Sequence, residues 1–173
     1  MQAEVQKALE VLKGKAIWAP RRAADMATFQ FGERSVAQDF YGRPTEVGEF
    51  ALHIQCPWRI VKRDRFVVGS NDLYYPAEHS HNDDRPSPSD FDWDREPNLR
   101  DKLLRTLFGP GEPQLTVRGI ETGCVGSFRL ILENDTFLEV FPNGSIPHEH
   151  WRLFSPKRDR PELVVTGAGI ETR

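Results

Sequence analysis

Histidine pairs are the first residues that invite a chemical reading. "HEH" sets His148 and His150 two apart around Glu149, and "HSH" does the same with His79 and His81. On an extended strand such neighbours point to one side about 6–7 Å apart, a spacing from which two imidazoles can share a metal ion. Asp83 and Asp84 follow the second pair and could add oxygen ligands. No motif fixes a third ligand, and His148 directly follows Pro147, so the opposing reading is histidines in exposed loops.

Arginines form the second constellation. "CPWRI" and "HWRLF" share a Trp-Arg-aliphatic core. Strand alternation turns Trp58, Ile60, Trp151 and Leu153 inward and Arg59 and Arg152 outward. Arg129 is outward by the pattern of its own strand. In one sheet, Arg59, Arg129 and Arg152 with His53 and Gln55 would line a polar face able to grip a carboxylate or phosphate bidentately. The alternative is that the arginines pair with Glu133, Glu139 and Glu149 as an ordinary solvated face.

Acids form the third. Residues 77–97, "AEHSHNDDRPSPSDFDWDREP", hold seven Asp and Glu against two Arg, three prolines and no apolar period. A patternless segment this long is either mobile or functional. Asp83, Asp84, Asp90, Asp92 and Asp94 surround Phe91 and Trp93, a composition suited to a basic protein partner: rings anchor and acids steer. In the competing reading the two rings fold back and staple the loop to the core. Asp90, Asp92, Asp94 and Asp101 also fall at positions one, three, five and twelve of a calcium loop. Arg95 stands where that loop needs glycine, and Pro97 blocks its pairing, which argues against calcium.

Positioning these groups requires strands. "MATFQFG" alternates with Ala27, Phe29 and Phe31 on one face, and "EFALHIQC" with Phe50, Leu52, Ile54 and Cys56. "RIVKRDRFVVGSNDLYYP" reads as a strand, a turn at Arg63-Asp64, a second strand, a turn at Ser70-Asn71 and a third strand ending at Pro76. "QLTVRGIETG" leads to a hairpin turning at Asn134-Asp135. In the strand after that turn, Leu138 and Val140 oppose Phe137, Glu139 and Phe141, so it should be central and covered on both sides. "EHWRLF" and "ELVVTGAGIET" follow. One helix is expected at 3–13, with Val5, Leu9 and Leu12 in a stripe. A second is expected at 98–108, capped by Asn98 and stopped at Gly109-Pro110. The class is α+β: about nine short strands, largely antiparallel, with two helices covering one face.

The 173 residues fit one domain over 1–173. A net charge of -3 argues against a general nucleic-acid binder. No apolar run approaches the ~20 residues of a membrane span, and the charged first residues carry no secretory signal, so a cytoplasmic location is expected. Cys56 and Cys124 are expected as reduced thiols within strands. There is no Gly-x-Ser-x-Gly, no glycine-rich phosphate loop and no Cys-x-x-Cys, so nothing recommends an enzyme and no cofactor is expected. A homodimer through an exposed sheet edge is compatible with this architecture.

"ALHIQCPWRI", "GSNDLYYP", "FDWD", a helix, a strand pair and "FPNGSIPHEHWRLF" together resemble a group of short single-domain bacterial proteins of unknown function, some of them immunity-like partners of toxins. The resemblance spans roughly residues 45–155. It implies that Trp58, Arg59, Trp93, Trp151 and Arg152 belong to a shared scaffold, and it brings no catalytic residues. The expectation is a non-enzymatic protein-binding module using the acidic-aromatic loop. The alternative is a small anionic ligand or metal site around Arg59, His148, His150 and Arg152.

Overall fold

The computed structural model describes residues 1–39, 41–80, 83–157 and 163–172. Helix α1 (Gln2–Leu9) opens the chain and continues into a 3-10 turn at Glu10–Leu12. Strands β1 (Ala16–Ala23), β2 (Met26–Phe31), β3 (Ser35–Gln38), β4 (Pro44–Val47), β5 (Phe50–Ile54), β6 (Trp58–Lys62) and β7 (Arg65–Gly69) follow. Helix α2 (Leu99–Phe108) interrupts them. The chain ends with β8 (Leu115–Thr122), β9 (Phe128–Leu132), β10 (Thr136–Val140), β11 (Glu149–Phe154), β12 (Leu163–Thr166) and β13 (Gly169–Thr172).

Eleven strands form one sheet in the order β13-β12-β11-β5-β2-β1-β8-β9-β10-β6-β7, every pairing antiparallel. β3 and β4 make a separate hairpin. The class is thus α+β with a mostly antiparallel sheet, as expected, but the sheet is larger than nine strands.

That sheet cannot be flat. β2 and β6 are five strand steps apart, about 24 Å in a planar sheet, yet the rings of Phe29 and Trp58 meet edge-to-face at 5.6 Å. Phe128 on β9 and Trp151 on β11, also five steps apart, meet at 4.9 Å. The sheet therefore curls until its two halves face each other across one core. β8 makes the corner: Leu115 and Thr116 pair with β1, whereas Val117 to Thr122 pair with β9. A second crossing lies between β5 and β6. There the His150 carbonyl accepts the N–H groups of Gln55 and Cys56 at 2.8 and 3.1 Å, and the Phe141 N–H donates to Pro57.

The inward set matches the alternation in the sequence. Phe29, Phe31, Leu52, Ile54, Ile60, Leu130, Leu138 and Trp151 are all fully buried in one core. The Trp151 indole N–H donates to the Gly126 carbonyl at 2.8 Å. Gly126 holds φ at +80°, and a Cβ there would collide with Val165. Val5 and Leu9 of α1, Leu12 of the turn after it and Leu104 of α2 enter the same core, so both helices lie on the concave side. Asn98 caps α2 by accepting the Asp101 N–H at 2.9 Å.

Several expectations are corrected. The third strand near Pro76 is instead a 3-10 helix at Ser70–Tyr74, because the Asp72 carboxylate accepts the Gly69 N–H at 2.7 Å and closes a helical turn. "ELVVTGAGIET" turns at Gly167-Ala168, and its two arms pair as β12 and β13. Neither cysteine is in a strand: Cys56 sits at the β5–β6 crossing and Cys124 in a 3-10 turn, both as free thiols. β10 is central, but its outward Phe137, and Phe141 just past its end, are capped by the guanidinium groups of Arg129 and Arg59. Among the described residues, no helix is long and apolar enough to cross a membrane.

Candidate functional site

The 77–97 loop leaves the fold at a defined base. Pro76 and Asn98 form an isolated bridge, the Ala77 N–H donates to Pro97, and the Leu99 N–H donates to Tyr75. Arg22 on β1 then reaches across. Its guanidinium binds the Asp94 carboxylate at 2.8 Å, the Asp94 carbonyl at 2.8 Å and Asp101 at 3.0 Å. Burial opposes the charge on Arg22, but these acceptors outweigh it and raise its pKa. Trp93 lies edge-on to Tyr74, with centroids 5.6 Å apart, and Phe91 is half-buried. Trp93 thus packs back on the protein, and Phe91 is partly covered.

The acids divide into two groups. Asp83 accepts a forked bond from Arg85 at 2.8 and 2.6 Å, which holds its carboxyl well below the usual range. Asp92 accepts the N–H groups of Asp94 and Arg95. Asp94 is held by Arg22. Asp84 and Asp90, by contrast, are exposed, and their carboxylates make no bond among the described residues.

The arginine face is divided too. A single cross-strand row runs Glu121 (β8), Arg129 (β9), Glu139 (β10), Arg59 (β6). Arg129 donates Nε and Nη2 to Glu139 Oε1 at 2.8 and 2.5 Å, Arg59 donates Nε to Glu139 Oε2, and Arg129 also reaches Glu121 at 3.2 Å. Burial opposes ionisation of Glu139, but the hydrogen bonds from Arg59 and Arg129 win and lower its pKa. Arg59 is sandwiched between Phe66 and Phe141.

Arg152 and His53 belong elsewhere. They are cross-strand partners on β11 and β5, Arg152 binds Glu149 at 2.7 Å, and His53 packs edge-on to Phe154. Phe128 and Trp151 touch through the core, so the next residues, Arg129 and Arg152, leave opposite sides of the molecule. The four groups do not converge on one face.

His148 and His150 do not share a face either. β11 begins at Glu149, and its register shifts between Glu149 and Trp151. That irregularity buries the His150 ring, whose Nε2 lies 3.0 Å from the Gly144 carbonyl, and leaves His148 exposed. His79 lies against Asp83 and Tyr75; His81 is outside the described residues. Among the described residues, no three His, Cys, Asp or Glu side chains gather as a metal site would require.

Sequence reasoning missed Arg22, the clamp on the loop. Its one signal is the basic pair in "APRRA", a segment whose proline hides the strand. It also missed Arg100, which is 1% exposed and donates Nη1 to the Asp25 carbonyl, because an arginine beside a leucine stripe reads as surface. No protein-family model matches the chain, and no curated protein or solved structure does so either.

Proposed function

We propose that the protein is a non-enzymatic protein-binding module, immunity-like in type, that offers the 77–97 loop to a basic partner. The observation that carries this reading is the pairing of a pinned base with unspent charge. The loop is tied at Pro76–Asn98 and clamped by Arg22, yet it leaves Asp84 and Asp90 exposed and unbonded among the described residues. A loop already held in shape loses little conformational freedom on docking, and its net acidity raises the encounter rate with a cationic surface.

The discriminating variant is Asp84→Lys with Asp90→Lys. Trp93→Ala or Asp92→Ala would also disturb the packing on Tyr74 or the turn at Asp94. Affinity capture from the source cells with the wild type and the double variant, at matched salt, is the test. The reading expects one basic protein held by the wild type and released by the variant, with melting unchanged. Equal retention by both chains would remove the loop from the binding surface.

A further inference from the structure

We propose that the groove between α1 and the β5–β11–β12–β13 end of the sheet binds a small amphipathic carboxylate, its apolar body within the groove and its anionic end at Lys7. The groove has a volume of about 450 Å³. That falls within the ~300–1,000 Å³ of small-molecule sites, which favour apolar clefts and the mouths of curled sheets. Phe50 and Leu153 line it from the sheet, and Val11 lines it from the turn after α1. Phe154, Leu163 and Ile170 complete the apolar surface. Val11, Leu163 and Ile170 pack on the core yet stay only half-buried, so an apolar ligand would remove from water surface that the fold leaves wet.

The polar groups on the groove select the head group. Ser155 already donates its hydroxyl to the Glu49 carbonyl at 2.8 Å. Lys7 is exposed and makes no hydrogen bond or ion pair among the described residues, so its ammonium is available to an anion. Glu4 lies on the same groove, less than one turn earlier. Its carboxylate is already paired with the Met1 ammonium at 2.6 Å, so Lys7 is the one cation lining the groove that has no partner among the described residues, and the matching ligand has one charged end and an otherwise uncharged body. A lysine, unlike an arginine, is a mobile point charge and sets no fork geometry, so a single carboxylate suffices.

Dodecanoate, titrated below its micelle-forming concentration and followed by methyl NMR, tests this assignment. Saturable shifts confined to the methyls of Val11, Leu163 and Ile170 are expected. Lys7→Glu should weaken binding about three- to tenfold, the range for one exposed ion pair replaced by repulsion. Dodecyltrimethylammonium, of equal chain length and opposite charge, should bind more weakly than dodecanoate. Ala8→Trp fills the groove from the helix and Leu163→Trp from the sheet, so either variant that retains its fold should lose the response. Absence of a saturable shift, shifts located elsewhere, unchanged binding in a folded tryptophan variant, or a cationic amphiphile bound as tightly as the carboxylate would each overturn the proposal.

Discussion

Replacing Glu139 by glutamine keeps the shape of the central charged row and removes its charge. In the wild type, Oε1 accepts two N–H groups of Arg129 and Oε2 accepts Nε of Arg59. The carboxylate is 5% exposed, while Arg59 and Arg129 are 39% and 44% exposed. A hydrogen bond to an ionised group contributes about 1.5–3 kcal/mol. Guanidinium groups this open regain water when released, and exposed ion pairs contribute only about 0.2–1 kcal/mol. Glutamine keeps one acceptor oxygen but turns an N–H₂ group toward a cation. Three partly lost bonds then amount to a destabilisation of about 1.5–3 kcal/mol at neutral pH. The pH dependence carries its own sign. The folded carboxyl titrates below its ordinary value, and the unfolded one at about 4.3. On acidification the unfolded chain takes up the proton first. The contribution of Glu139 is complete above the unfolded value and disappears as pH falls through the lower folded value. Urea unfolding of both proteins from neutral to acid pH should show a gap that closes at the acid end. Equal stabilities at pH 7, or a gap that persists once the carboxyl is protonated, would refute the pairing.

Cys124 is exposed and should react quickly with a thiol reagent, whereas Cys56, with its thiol pushed up to about 12 by burial, should react only on unfolding; mass spectrometry after brief alkylation reads both sites. Asn98→Ala removes the cap of α2 and a side-chain partner of Asp101, so it should cost about 1–2 kcal/mol in chemical denaturation. Arg22→Ala should leave the core intact but release Asp94, seen as faster proteolytic cleavage within 83–97.

Elements with a local cause were legible. Asn134 and Asp135 adopt φ of 57° and 53°, the left-handed pair that a two-residue hairpin requires and that these residue types tolerate. Asn98 and the leucine stripe located α2 within a residue. β1 was hidden because Pro20 and two arginines break its pattern, and its register shifts between Trp18 and Arg21 with Ala19 at φ 43°. β3 and β4 are four-residue strands with no buried residue, so no hydrophobic alternation marks them. The candidate sites were less legible because they depend on curvature. Alternation predicted that Arg129 and Arg152 both point outward, and they do; only the curl of the sheet sets them on opposite sides. The His148–His150 pairing failed on a register shift between Glu149 and Trp151, which buries His150 beside Trp151 instead of on the opposite face, while the alternation from Trp151 onward holds.

The loop's role is tested most directly by native mass spectrometry of the protein isolated from its own cells, run beside the Asp84→Lys, Asp90→Lys variant. An added mass from a basic polypeptide on the wild type, and its loss from the variant, are expected. A wild-type chain that carries no polypeptide partner, or a variant that keeps the same one, would contradict that role.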